Sequence, residues 1–264
     1  MTTLSICVTC GTQFPPRDGV PERCPVCGDY RQYVGLGGQR WTTPEELRAG
    51  HRNTITQVDD GVFSVHTEPK FAIGQRCLLV QSRDGNMLWD CISLIDNPTV
   101  ERVRELGGIS AIAISHPHYY SAMTDLSDAF GAPVYIHECE REWVMRPGSR
   151  IEFWSGETHR LNDAMTLIRC GGHFEGAQVM HDAARRALFT GDVIQVVPDR
   201  RWVSFMRSYP NYIPLPASAV RKIVNAVEPF DFDTIYGAWP DFEERGDAKG
   251  AVRRSADRYI AALS

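Results

Sequence analysis

No apolar run in the sequence approaches the roughly 20 residues needed to cross a bilayer. The first residues, Met1-Thr-Thr-Leu-Ser-Ile-Cys7, lack the basic start and apolar core of a secretory signal. There is no low-complexity segment and no basic run, and the formal net charge is −5. Such a balance gives no general attraction to phosphate backbones, so neither a membrane nor a nucleic acid is expected as a partner. A cytoplasmic location is the default expectation. In that compartment the eight cysteines are read as thiols rather than disulfides. Cys77, Cys91, Cys139 and Cys170 stand singly in apolar surroundings and behave as small buried hydrophobes. What is present is an ordinary globular composition, 43% hydrophobic and 23% charged, in 264 residues. That length accommodates one sizeable domain and a small appendage.

The appendage is marked by the other four cysteines. Cys7-Val-Thr-Cys10 is followed after thirteen residues by Cys24-Pro-Val-Cys27-Gly28. Two CxxC turns can bring four thiolates to the corners of a tetrahedron, the arrangement Zn²⁺ prefers. Two disulfides are the alternative, disfavoured without an export signal. About thirty residues cannot build a core alone, so the metal is expected to supply folding energy. Four thiolates leave no open coordination position, which makes this a structural zinc. Residues 1–38 are therefore expected to be a zinc ribbon and 39–53 a linker with a helix. Thr43-Pro44-Glu45-Glu46 supplies that helix with an N-cap, a first-turn proline and a capping-box glutamate.

Residues 54–264 read as a separate α/β domain. "ITQV", "VFSVHT", "RCLLVQS" and "NMLWDC" are short strands broken by Asp59-Asp60-Gly61 and Asp84-Gly85-Asn86, which predicts an antiparallel meander. Then come a helix from "NPTVERVRELGG" capped by Asn97, a buried strand "SAIAIS", a helix over 121–130, a strand "PVYIH" and a short helix over 138–145. A second strand group follows: "MTLIRC", "AQVMH", "ALFTGD" and "VIQVV". Helices are predicted over 217–228 and 248–263 from their apolar faces. Two strand groups, each with helices after it, predict two sheets packed face to face with helices outside.

Candidate ligands sit at strand ends, where a chain turns outward into a cleft. His116 and His118 follow "SAIAIS"; His173 is framed by glycines in "GGHFEG"; Asp192 closes "ALFTGD"; Asp90 closes "MLWD". In that order and spacing these pieces resemble the metallo-β-lactamase fold superfamily over about residues 54–264. The resemblance implies an αββα sandwich with a metal site on one edge, held by His116, His118, His173 and Asp192. It gives Asp90 a role behind a ligand histidine. A preceding zinc ribbon and a reduced second metal site are similar to one subgroup of that superfamily. The family pattern His-x-His-x-Asp-His meets Tyr120 and Ser121 where aspartate and histidine belong, and Trp239 stands near the last histidine. The implied cofactor is thus one metal, Zn or Fe, in a three-histidine, one-carboxylate set. Tyr120, with Tyr119 and Ser121 around it, is the candidate to replace the lost second metal by hydrogen bonding, or to fill its space.

The leading expectation is a mononuclear metal-dependent hydrolase in which metal-bound hydroxide attacks a small ester, thioester or lactone. One zinc suffices to bring the pKa of bound water to about 7. The alternatives are a non-haem iron oxidoreductase, or a non-catalytic scaffold or sensor whose ribbon binds a protein partner or a second copy. Segment 198–216, with Arg200, Arg201 and Arg207, reads as a lid carrying substrate-anchoring arginines, or else as a packing belt. A β-lactamase activity does not follow from the fold.

Overall fold

A computed structural model describes residues 2–263. The chain divides into two compact units, residues 1–136 with 141–152, and residues 137–140 with 153–264.

In the first unit the cysteine turns belong to a three-stranded sheet ordered Gln13–Arg17, Thr3–Cys7, Trp41–Thr42. The helix Pro44–Gly50 follows with the expected capping box. Glu46 N–H donates to Thr43 Oγ1 and the Glu46 carboxylate accepts from Thr43 N–H. The larger sheet has seven strands. Arg52–Asp59, Val62–Glu68, Cys77–Val80 and Met87–Trp89 form the predicted antiparallel meander. Ala111–Ala113 and Val134–His137 then add in parallel, and Ile151–Trp154 closes the edge. Strands buried on both faces read as continuous apolar runs. Leu78, Leu79, Val80, Leu88 and Ile112 are each at most 2% exposed. The parallel crossovers run through the helices Asn97–Glu105 and Met123–Phe130. The first of these is capped one residue earlier than expected: Asp96, not Asn97, accepts from Thr99 N–H, because its carboxylate precedes the proline turn.

The second unit holds a six-stranded sheet in the order Thr158–Arg160, Met165–Arg169, Gln178–Asp182, Ala187–Gly191, Thr234–Gly237, Glu243–Arg245. Its first four strands are antiparallel, and Ala187–Gly191 runs parallel to Thr234–Gly237. The helix Ala217–Val227 buries Val220, Ile223 and Val227. Each contributes about 1.5–3 kcal/mol by leaving water. The last helix is Ala248–Ala261.

Three further local expectations are corrected. Residues 138–143 form a 3₁₀ turn rather than an α-helix. "VIQVV" keeps only the pair Gln195–Val196, bonded to Val203–Ser204. The edge strands Ile151–Trp154 and Thr158–Arg160 add to the predicted set. The fold class, α/β with two mixed sheets preceded by a four-cysteine ribbon, is the one expected. Among the described residues no helix is long and apolar enough to cross a membrane.

Candidate metal centre

Two groups of donors converge among the described residues. The first is Cys7, Cys10, Cys24 and Cys27, all buried. Each CxxC turn is closed by a glycine four residues after its first cysteine: Gly11 N–H donates to Cys7 O and Gly28 N–H to Cys24 O. Gly11 has φ +79°, and a Cβ there would lie 2.1 Å from Ser93 Oγ, so any side chain would be strained and would displace that hydroxyl. Cys7 and Cys27 sulfurs are 3.5 Å apart and those of Cys10 and Cys24 are 3.7 Å apart. A disulfide requires about 2.0 Å, so these are four thiols arranged around a centre. Hydrogen bonds from Cys10 and the other thiols favour thiolate at Cys7, while burial holds Cys10 protonated. A divalent cation resolves that conflict by accepting all four as thiolates. Gln39 ties the two turns together, donating to Cys7 Sγ and accepting from Cys24 N–H.

The second group is His116, His118, His173 and Asp192, also buried; one ligand atom from each lies within 4.8 Å of the others. His116 and His118 leave the strand Ala111–Ala113 through a tight turn, Pro117–Tyr119. Their rings meet edge to face at 5.1 Å, and Tyr119 packs edge-on against His116 at 5.3 Å. Asp90, 1% exposed and at φ +63°, accepts from Ser115 N–H at 2.7 Å. It thus fixes the backbone immediately before His116. Ser115 Oγ lies 2.8 Å from His116 Nδ1. Tyr119 and Tyr120 are buried and Ser121 is 6% exposed; Ser121 and His118 both line a cavity of about 20 Å³.

In the second unit, His173 follows the strand Met165–Arg169 on the loop Gly171–Gly176. Gly172 is at φ +81°, and a Cβ there would lie 2.7 Å from Ile223 Cδ1. The loop backbone therefore lies close against the helix Ala217–Val227. Glu140, 2% exposed, accepts from Gly176 N–H at the loop's other end. The His173 Nδ1 lies 3.1 Å from the Met206 carbonyl. A carbonyl only accepts, so Nδ1 carries the proton and Nε2 keeps the lone pair. Asp192 directly follows the strand Ala187–Gly191, is 4% exposed, and burial pushes its carboxyl up to about 7. Tyr209 donates its hydroxyl to Asp192 O at 3.0 Å, and its ring lies 5.8 Å from that of His173. Burial first, and the neighbouring Asp192 charge second, hold that phenol far above its ordinary range, so it stays a donor.

The donor set fits a metal such as zinc. Three imidazoles and a carboxylate are the nitrogen and oxygen ligands zinc takes, at about 2.0–2.2 Å. A carboxylate that burial alone would neutralise regains its charge beside a cation. Tyr120 and Tyr119, expected to make up for a second metal, are buried in the loop after His118; Trp239, expected near the place of a last histidine, lies two residues past the strand Thr234–Gly237. The arginines of 198–216 are engaged within the protein. Arg200 stacks on Phe242 at 4.2 Å, Arg201 pairs with Asp199 at 2.7 Å, and Arg207 donates to Gly172 O at 3.1 Å. The segment itself forms small strand pairs, Met206–Ser208 with Ile213–Pro214 among them. Sequence reasoning misses Ser115, Glu140, Met206 and Tyr209; no motif marks any of them. His51, His137 and His181 are bonded to backbone carbonyls in structural positions.

No family model matches the sequence. The uncharacterized protein YmaE of Bacillus subtilis (strain 168) is 46% identical over 265 residues, covering 98% of this chain and 96% of its own length. Solved structures with the same fold include a metallo-β-lactamase from Erythrobacter litoralis, at 15% identity and a TM-score of 0.60 over 78% of this chain and 96% of that one. Another is the metallo-β-lactamase FIM-1 from Pseudomonas aeruginosa in its mono-zinc form, at 15% identity and 0.60 over 79% and 96%. A third is the TMB-1 structure, at 13% identity and 0.62 over 80% and 99%.

Proposed function

Because the chain belongs to the family of Bacillus subtilis YmaE and has the metallo-β-lactamase fold, we propose that it is a metal-dependent hydrolase working with one catalytic metal, on neutral substrates of the ester, thioester or lactone type. The observation that carries this reading is the buried group His116, His118, His173 and Asp192. A metal bound there supplies Lewis acidity, polarising an acyl carbonyl and making water acidic enough to react near neutral pH. The three histidines and Asp192 hold it, with His173 presenting Nε2 because Nδ1–H is committed to Met206 O. FIM-1, of the same fold, has a mono-zinc form, which supports a single metal as a workable state of this architecture. Tyr120, in the place of the family's aspartate, donates its hydroxyl to a substrate oxygen, and Tyr119 and Ser121 support it. One divalent ion with one carboxylate leaves a site of net charge about +1, which would stabilise the negative charge an acyl group gains in its transition state. The four cysteines hold a second, structural zinc with no open position.

The test is metal content, with element identity, on protein purified without added metal, for the wild type and for His116→Ala/His118→Ala. Two zinc ions per chain, falling to one in the variant, are expected. Hydrolysis of p-nitrophenyl esters and thioesters should fall with the second zinc. One zinc per chain, unchanged in the variant, would overturn the reading; iron at the second position would redirect it to oxidative chemistry.

A further inference from the structure

Segment Met206–Tyr209 touches both second-unit ligands and the loop that carries one of them. The His173 Nδ1–H is directed at Met206 O, 3.1 Å away. Arg207 Nη1 donates to Gly172 O, the carbonyl just before His173. Tyr209 OH donates to the Asp192 carbonyl at 3.0 Å, while its ring lies beside His173. The strand is itself held: Met206–Ser208 pairs with Ile213–Pro214, and buried Ser208 accepts from Asn211 N–H. Nothing in the ligand motifs calls for these residues. Each contact restrains a different freedom: the rotation of the His173 ring, the position of its loop, and the peptide on which Asp192 is mounted.

We infer that Met206–Tyr209 is the positioning element for His173 and Asp192, and that the Tyr209 hydroxyl is its decisive contact. The inference rests on the reading of His116, His118, His173 and Asp192 as a metal site. It goes further, in that a strand outside every ligand motif sets that site's metal affinity. With one metal and no neighbouring ion to share Asp192, the carboxylate has to be aimed by the protein alone. The Tyr209 hydroxyl does this through the backbone, at the residue's own carbonyl. Groups that orient metal ligands from behind typically change metal affinity about 10–100-fold when removed.

The test uses the full chain as Tyr209→Phe, which deletes the hydroxyl and keeps the ring, and as Arg207→Met, which frees the Gly172 carbonyl. Zinc affinity is measured by competition with a chelator, the cysteine site serving as an internal reference in the same molecule. Cobalt(II) loading reports ligand geometry through its visible bands, and thermal unfolding reports the fold. The expected result for Tyr209→Phe is about a tenfold or larger loss of affinity at the histidine–aspartate site. Its cobalt bands should shift, while the cysteine site and the unfolding temperature stay close to wild type. Arg207→Met should weaken the same site to a smaller degree, and it carries the test alone if Tyr209→Phe fails to fold. Wild-type affinity and bands in the variants that fold would overturn the positioning role while leaving the metal reading intact. Absence of a second metal from the wild type would overturn both.

Discussion

Gly172 offers the sharpest mutational test of how the candidate site is seated. In Gly172→Ala the new residue must hold φ near +81°, a left-handed conformation that costs an L-residue about 1–2 kcal/mol. Its Cβ would lie 2.7 Å from Ile223 Cδ1, closer than real Cβ atoms come, and 3.1 Å from Leu215 Cδ1, where nine in ten real contacts are longer. Both neighbours are buried, at 0% and 2% exposure, so neither can swing into solvent. Overpacking of this kind costs about 1–3 kcal/mol. The two effects together predict a loss of about 2–5 kcal/mol, a large part of a domain's usual stability of about 5–15 kcal/mol. Urea unfolding followed by tryptophan fluorescence measures it. Ile223→Val removes the colliding Cδ1 and by itself costs about 0.5–1.5 kcal/mol. Combined with Gly172→Ala it should cost less than the sum, by about 1 kcal/mol, because the clash is relieved. A loss below about 1 kcal/mol for Gly172→Ala, or additivity within about 0.5 kcal/mol, would refute the argument that close approach to the helix fixes the His173 loop.

Other positions carry shorter tests. Asp182 is fully buried and accepts from Ala184 N–H, Arg185 N–H and Arg185 Nη1, so Asp182→Ala should cost about 1–3 kcal/mol or more in urea unfolding. Cys27→Ser should release one zinc per chain and lower the unfolding temperature, with the metal of the histidine–aspartate group retained; elemental analysis reads both. Glu244 is 4% exposed and burial raises its carboxyl pKa. A raised carboxyl means the folded state binds the proton more tightly than the unfolded one. Stability from this group is therefore present at low pH and lost as pH rises through the folded value. Glu244→Gln should make the chain more resistant to urea than the wild type near pH 7, and the difference should vanish below about pH 4, where the unfolded carboxyl is also protonated.

Much of the fold is legible in the sequence because it depends on local chemistry. Thr43 and Glu46 announce their helix by a reciprocal pair of hydrogen bonds that the two residue types alone make possible. Leu78, Leu79 and Val80 announce a central strand because both of its faces are buried. The edge strand Thr158–Arg160 gives no such signal. Its side chains are half-buried or exposed, and it is held to Met165–Arg169 by backbone hydrogen bonds that any sequence can make. The same physics moves the helix cap from Asn97 to Asp96. Both residue types cap well, and only the direction of the chain entering the turn chooses between them.

The candidate site divides along the same line. Ligand side chains are chemically rare and their spacing is constrained, so His116, His118, His173 and Asp192 stand out from residue type and order alone. Three of the contacts that hold them use backbone carbonyls: His173 donates to that of Met206, Arg207 to that of Gly172 and Tyr209 to that of Asp192. Every residue offers a carbonyl, so the acceptor leaves no mark in the sequence. Arg207 draws attention by its charge, as a prospective substrate anchor, whereas its visible contact is with the loop that carries a ligand. A tyrosine in an aromatic, proline-rich stretch is indistinguishable from its neighbours until its hydroxyl is located. The four side chains that could hold a metal ion are thus readable in the chain's chemistry. The residues that aim them become distinct only where the chain has folded.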